Sequence, residues 1–213
     1  PPEIITEIKT LKETLMEKTK DELKNDLEAE AARVFNKAMH YLKEYNLELA
    51  LENLKNVLIL KNDHTEALEA YNKVQQRLNE SKMLFDRGLS LFALNKYAHA
   101  INCLQKALEI HPRCQQTKEL LNRVLHKKQQ IENYKTIYKQ YIKNKQYVLA
   151  VDTLKSCVSK DLFDSEIFFD LGMIYKNQKQ LDLAKKCFKK AVFIDPDNKE
   201  AQKALSELEN YNS

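Results

Sequence analysis

Residues 165–198 read SEIFFDLGMIYKNQKQLDLAKKCFKKAVFIDPDN, and this stretch decides the fold. Its apolar residues recur at steps of three and four, which is the period of an amphipathic α-helix. A polar turn divides the stretch into two such segments, and Pro196 lies just past the second, where a helix cannot continue. The pattern therefore predicts a hairpin of two helices.

The same hairpin pattern recurs along the chain. Aligning the segments on their small residues gives four units of thirty-four residues, at 31–64, 81–114, 131–164 and 165–198. The aligned alanines are Ala50, Ala100, Ala150 and Ala184. One hairpin cannot bury its apolar face alone, so a repeat of this length predicts stacked hairpins that present a surface.

The units resemble the tetratricopeptide repeat family. The fourth unit matches with Phe168, Leu171, Gly172, Tyr175, Ala184, Phe188, Ala191 and Pro196, and the second with Leu84, Gly88, Leu91, Tyr97, Ala100, Leu104, Ala107 and Pro112. The resemblance implies an all-α fold, an α-α superhelix in which small residues let helices approach closely. The expected packing residues are Ala50, Gly88, Ala100, Ala107, Ala150, Gly172, Ala184 and Ala191.

The first and third units depart from the family pattern. In the first unit, Lys37 and Asn62 stand where the family has Leu and Pro. In the third unit, Cys157 and Leu162 stand where the family has Ala and Pro. The third unit also has Tyr138 where glycine is expected. In the family that position lies close to the alanine of the second helix, so we expect Tyr138 to widen its hairpin.

Sixteen extra residues follow each of the first two units, at 65–80 and 115–130. Both stretches keep the helical period, and neither contains Gly or Pro. They predict extended helices near 65–94 and 115–144. A kink near residues 79–81, with Ser81 as an N-cap, is the alternative.

The two ends of the chain also show helical patterns. We predict an N-terminal helical extension at 1–30, a repeat domain at 31–213, and a helix at 199–210 that caps the last hairpin. Ile4, Ile8, Leu11, Leu15, Leu23 and Leu27 mark one side of the extension. We expect that side to pack back on the array rather than to form a coiled coil. Thr19 and Glu22 offer a capping box that would break the extension.

The charge of the chain is unevenly distributed. The net charge is +4, but residues 81–160 carry 15 Lys and Arg against 5 Asp and Glu. A basic middle suits an acidic partner, and a solvated face is the plainer alternative. Cysteines within apolar helical patterns indicate free thiols and favour a reducing compartment such as the cytoplasm. The chain does not begin with Met, so a location outside the cytoplasm stays open.

The sequence offers no candidate for catalysis or for a cofactor. It has only two glycines, too few for a glycine-rich phosphate loop, and it lacks zinc-protease and CxxC motifs. The one cluster to test is His99, Cys103, His111 and Cys114, whose spacing is too wide to converge on zinc. We expect a protein that is not an enzyme, with no metal and no cofactor.

The expected binding surface is the concave groove, which in the family is lined by the first helix of each unit. In the third unit it has Lys135, Lys139 and Lys143, one turn apart on one face. In the fourth it has Phe169, Met173, Lys176 and Asn177. The lysines would attract an acidic segment and the apolar pair would anchor it, although a solubilising face explains the lysines equally.

The grooves of the first two units are apolar, with Phe35, Met39 and Leu42, then Phe85, Leu89 and Phe92. We expect the extra helices to fill them; open grooves would be peptide sites. The clamp by which some family members bind chaperone tails is absent, because Phe85, Leu89, Glu166 and Asp170 stand at its positions.

The most consistent function is a scaffold or adaptor that binds a partner protein segment and helps to assemble a larger complex. Nucleic-acid binding through the basic middle, and a purely structural role within a larger polypeptide, stay open. The partner, the pathway and the oligomeric state are beyond what the sequence predicts.

Overall fold

A computed structural model of the chain describes residues 2–210, and the side chains of 10–17 and 19–209. Every secondary-structure element in that range is an α-helix, which confirms the all-α prediction of helical hairpins. The helices are α1 Pro2–Lys43, α2 Leu47–Leu60, α3 Thr65–Ala93, α4 Tyr97–Ile110, α5 Gln115–Lys143, α6 Tyr147–Ser159, α7 Ser165–Asn177, α8 Leu181–Ile194 and α9 Lys199–Asn210.

The chain divides into two compact units. The N-unit comprises Pro1–Lys82 and Glu109–Arg113, and the C-unit comprises Met83–Leu108 and Cys114–Ser213. The division falls within the continuous helix α3, whose first half belongs to the N-unit and whose second half belongs to the C-unit.

The N-unit is built on the hairpin of α1 and α2. The tight turn between them has Tyr45 in the left-handed region at φ 56°. The side chain of Asn46 then caps α2 by accepting from the Leu49 N–H at 3.3 Å. The first half of α3 closes the core with Ala67 and Val74, which are buried against the hairpin.

Residues 109–113 join the N-unit through polar contacts. The guanidinium of Arg77 on α3 donates to the carbonyl of Ile110 at 2.9 Å, which satisfies a group at the end of α4. Arg113 and His111 reach Glu44 and Glu48 at 3.2 and 3.1 Å. These contacts explain why the loop after α4 belongs with α1 and α2.

The two extended helices are confirmed. Thr65–Ala93 and Gln115–Lys143 each run for 29 residues without interruption, so Ser81 does not cap a new helix. The first half of α5 packs on the second hairpin, because Leu120 and Val124 are buried in a core against which Phe85 and Phe92 pack. Leu89 of the same groove stays 45% exposed, so the groove is covered only in part.

The fourth hairpin, α7 and α8, packs around Gly172. A Cβ at Gly172 would lie 2.6 Å from Cε1 of Phe188, whose ring is fully buried. In the second hairpin, a Cβ at Gly88 would lie 2.8 Å from Cγ of Leu104. Both glycines therefore sit where helices approach too closely for a side chain.

The third hairpin, the second half of α5 with α6, has no glycine at that position. Its Tyr138 side chain is fully buried, and its hydroxyl donates to Oδ2 of Asp170 on α7 at 2.7 Å. The ring thus reaches across to the following hairpin. The widening predicted for this hairpin stays a prediction.

The capping helix at the C-terminal end is also confirmed. Helix α9 runs from Lys199 to Asn210, as expected. It buries Ala204 and Leu208 against Phe188 of α8, which closes the apolar face of the last hairpin.

The N-terminal extension differs from the prediction. Helix α1 is continuous, and Thr19 donates within it to the carbonyls of Leu15 and Met16 at 3.0 Å instead of capping a new helix. The described side chains of residues 10–29 are all exposed, so this side does not pack back on the array. The side chains of Ile4 and Ile8 lie outside the described residues. Whether 1–30 and 31–213 are separate domains stays a prediction.

Among the helices at residues 2–210, none combines the length and apolar character needed to span a membrane.

Candidate partner-binding groove

The predicted lysine row lies on α5, but acidic side chains of the next hairpin surround it. Lys135 is only 12% exposed, and its ammonium lies 2.9 Å from Asp164 Oδ1 and 2.8 Å from Glu166 Oε2. Burial lowers the pKa of Lys135, but the bonds to Glu166 and Asp164 outweigh this and raise it overall. Lys135 therefore joins the third hairpin to the fourth.

The other two lysines of the row are more accessible. Lys139 is half exposed, and its Nζ donates to Oε1 of Glu166, while Lys143 is exposed. Burial raises the pKa of Glu166, but the hydrogen bonds from Lys135 and Lys139 hold it below its usual range. Glu166 is thus ionised and pairs with the charges of both Lys135 and Lys139.

A buried pair lies beside this network. Burial raises the pKa of Tyr138, and its hydrogen bond to Asp170 raises it further. Burial also raises the pKa of the Asp170 carboxyl, which the bond from Tyr138 offsets only in part. This pair fixes α7 against α5, and it positions Glu166 one turn earlier on α7.

The residues predicted on α7 are partly covered by α9. The Phe169 ring lies 5.8 Å from that of Phe188, and Met173 packs against the same cluster as Leu205 of α9. Lys176 pairs with Glu207 of α9 at 2.8 Å. Asn177 is exposed, whereas Phe169, Met173 and Lys176 are partly buried.

The predicted site residues therefore form two groups. Lys135, Lys139 and Lys143 follow one face of α5, and Lys135 and Lys139 meet α7 at Glu166. Phe169, Met173 and Lys176 lie on α7 toward α9. The described part of the chain leaves Lys143 and Asn177 as the exposed ends of the surface.

The sequence interpretation missed the carboxylates that pair with the lysines. Asp164 caps α7 by accepting from the Glu166 N–H at 3.0 Å, so an N-cap places both acids at the start of that helix. An acidic pair at a helix start beside a basic row of the preceding unit is the signal that could have revealed the ion pairs.

A cavity of about 330 Å³ opens beside the network within the C-unit. It is lined by the turn between α3 and α4, the middle of α5, the start of α7 and the end of α8. Tyr97 forms part of its wall, and burial, reinforced by Asp164 and Asp161, raises the pKa of Tyr97 to about 12. The wall combines apolar side chains with charges of both signs.

A larger groove, of about 480 Å³, lies within the N-unit between α1 and α3. Phe35, Met39 and Leu42 form its floor together with Ala70 and Val74. The first half of α3 therefore packs on the first hairpin without filling its groove.

No grouping of three or more His, Cys, Asp or Glu side chains in the described part of the chain could hold a metal ion. All four cysteines are free thiols.

The profile of the Tetratricopeptide repeat family matches residues 81–114 and 165–198. These are the second and fourth hairpins, the two that contain glycine at the close helix approach. The resemblance is confirmed there, and the count of four units stays a prediction. A search of curated protein sequences finds no match.

A search of solved structures finds several matches at low sequence identity. MamA from Desulfovibrio magneticus RS-1, from residue 41 to its end, is 21% identical over 85% of each chain, with a TM-score of 0.31. The first TPR of Spaghetti (RPAP3), bound to an HSP90 peptide, is 18% identical over 63% of this chain and 94% of that chain, with a TM-score of 0.32. The TPR2AB domain of yeast Sti1 in complex with pHSP90 is 16% identical over 86% and 84%, with a TM-score of 0.34.

Proposed function

Because this chain carries tetratricopeptide repeats, we propose that it is a non-enzymatic scaffold that binds a segment of a partner protein and helps to assemble a complex. Repeats of this kind stack into extended surfaces suited to peptide recognition. The proposed site is the surface of α5 and α7 from Lys135 to Asn177.

The observation that carries the proposal is the pair of lysines at the edge of this surface. Lys143 is exposed and has no ion-pair partner among the described residues, while Lys139 is half exposed and shares Glu166 with Lys135. An acidic partner segment would bind Lys143 directly and would compete with Glu166 for Lys139. Glu166 would then act as an internal competitor that weakens binding of acidic segments.

The α7 side would supply contacts of a second kind. Phe169 and Met173 are only partly buried, so a partner residue could extend the apolar cluster that they form with α9. Lys176 would contribute less than Lys143, because Glu207 already neutralises it.

The test is quantitative affinity capture from native lysate with charge variants. Lys139→Glu with Lys143→Glu removes the accessible lysines and leaves Lys135 in its buried ion pairs. The matched control, Lys106→Glu with Lys155→Glu, makes the same charge change at two exposed positions on α4 and α6. We expect defined proteins to be lost by the first variant and retained by the control. Equal retention by both would rule out this surface.

Nucleic-acid binding through the basic middle remains the second candidate. The observation in its favour is the excess of 15 Lys and Arg over 5 Asp and Glu at residues 81–160. It predicts affinity for any duplex or single strand that falls steeply with salt. The same capture with nuclease treatment separates the two functions, because a protein partner survives that treatment.

A further inference from the structure

The N-unit contains two apolar surfaces that lack a partner within the described chain. One is a side of α1, where Met16, Leu23 and Leu27 are 73%, 62% and 42% exposed. The other is the groove floored by Phe35, Met39 and Leu42. Helix α1 cannot fill this groove itself, because the floor residues belong to the same continuous helix. In the described part of the chain, both surfaces are open to solvent.

The groove also has an ordered charged rim along α3. Glu66, Glu69, Lys73 and Arg77 all line it, with Ala70 and Val74 beside them. Their spacing of three and four residues places the four charges on one face of the helix. The rim is thus acidic toward the start of α3 and basic further along.

The exposed side of α1 repeats this charge order. Glu13, Glu17, Lys20 and Lys24 are exposed, are again spaced by three and four residues, and run beside Met16 and Leu23. Each row spans eleven steps, about 17 Å of helix. Among the described side chains, the structure shows no ion pair made by any of the eight charged residues, and Arg77 donates to a backbone carbonyl.

Two helices with the same order of charges complement each other only when they run antiparallel. In that orientation Glu13 and Glu17 face the basic end of the α3 rim, while Lys20 and Lys24 face Glu66 and Glu69. A parallel arrangement would oppose like charges along the whole row. The charge pattern therefore selects both the occupant and its direction.

We propose that residues 13–27 of α1 from a second copy of this chain dock antiparallel along residues 66–77 of α3, with Met16, Leu23 and Leu27 over the groove. Each copy supplies one helix and one groove, so the exchange is reciprocal and closes as a symmetric dimer. This surface is separate from the proposed partner site on α5 and α7.

The first test is sedimentation velocity of the full chain over a concentration series up to high micromolar. We expect wild type to dimerise, and Leu23→Glu or Met39→Glu to weaken dimerisation by roughly tenfold or more, because each places a charge in an apolar contact. Both positions are at least one third exposed, so thermal unfolding should remain near wild type. Asn25→Glu, on the opposite side of α1, should leave dimerisation unchanged.

Mixing the two variants is the sharper experiment. The Leu23→Glu protein retains its groove and the Met39→Glu protein retains its helix, so an equimolar mixture should form a one-sided heterodimer that neither variant forms alone. Lys73→Glu should weaken wild-type association, and Glu17→Lys in the same chain should restore it.

A chain that is monomeric at every concentration would overturn the proposal. So would association that Leu23→Glu abolishes while Met39→Glu and Lys73→Glu leave it intact, because α1 would then pair with α1 and not with the groove.

Discussion

The third and fourth hairpins place very different side chains at the same repeat position. In the fourth hairpin, Gly172 brings α7 so close to α8 that a Cβ would lie 2.6 Å from the ring of Phe188. In the third, Tyr138 fills the position with a fully buried ring whose hydroxyl reaches Asp170 on α7. Close packing within one hairpin is replaced by a contact between hairpins.

The difference shows how one repeat position can serve either close packing within a hairpin or a hydrogen bond to the next hairpin. Gly172 serves only its own hairpin, whereas Tyr138 links α5 to α7 and so sets the geometry of the lysine and carboxylate network. The family profile matches the fourth hairpin but not the third. The departure from the family pattern lies in the hairpin that carries the lysine row of the proposed site.

The largest expected effect comes from restoring the family residue in the third hairpin. Tyr138→Gly removes a fully buried ring and should lower the free energy of unfolding by about 4 kcal/mol, through the cavity and the loss of helix propensity. Tyr138→Leu retains most of the side-chain volume, so its free energy of unfolding should fall clearly less. Denaturant unfolding of both variants checks this, and a Tyr138→Gly protein as stable as wild type would contradict it.

Adding a side chain at Gly172 in the fourth hairpin is the converse change, and it should lower the free energy of unfolding by a smaller amount. Gly172→Ala forces the Phe188 ring to shift, and overpacking of this kind should lower the unfolding free energy by about 2 kcal/mol despite the better helix propensity of alanine. Gly88→Ala is the comparison, because the aliphatic Leu104 that it meets adapts more easily than a ring. Thermal melts should therefore rank Gly172→Ala below Gly88→Ala.

The Tyr138–Asp170 pair between the third and fourth hairpins should make the free energy of unfolding depend on pH. Burial raises the pKa of Asp170 above its ordinary value, so the folded state holds this proton more tightly than the unfolded state. Its contribution to stability is therefore present at low pH and is lost as pH rises from the ordinary carboxyl range through the raised pKa. Asp170→Asn should remove this slope, measured as unfolding free energy against pH. An unchanged slope would show that the carboxyl titrates normally.

The smallest expected effect on stability comes from substitutions in the turns, where the third and fourth hairpins have the same backbone conformation. Lys145 and Lys179 both adopt left-handed backbone, at φ 59° and 61°, after their first helices. Glycine adopts that conformation without strain, so Lys145→Gly and Lys179→Gly should each stabilise by about 0.5 kcal/mol or less after the entropic cost. Equal shifts in melting temperature would confirm that the two turns are equivalent.

The bounds of the helices can be predicted from the sequence, because they depend on the period of the apolar residues. The helical period places α3, α5 and α9 within one residue of their observed bounds, because no Pro interrupts the apolar steps and the single Gly88 in α3 leaves their period intact. Gly172 and Gly88 were identified as close-approach positions because the absence of a side chain is visible in the sequence itself.

Pairings between distant residues could not be predicted in this way. Glu166 lies twenty-seven residues beyond Lys139, and only the stacking of α7 on α5 brings them together. The exposed side of α1 was misjudged for a related reason, since an apolar stripe shows that a surface needs cover but not which surface supplies it.

The central claim is that the surface of α5 and α7 binds an acidic partner segment in competition with Glu166. Its most direct test is the affinity of a captured partner for Glu166→Gln, measured by titration calorimetry beside wild type and the Lys139→Glu, Lys143→Glu variant. Release of Lys139 should tighten binding by several fold, and loss of both lysines should weaken it by about tenfold or more. Affinities that are the same for all three proteins would contradict the claim.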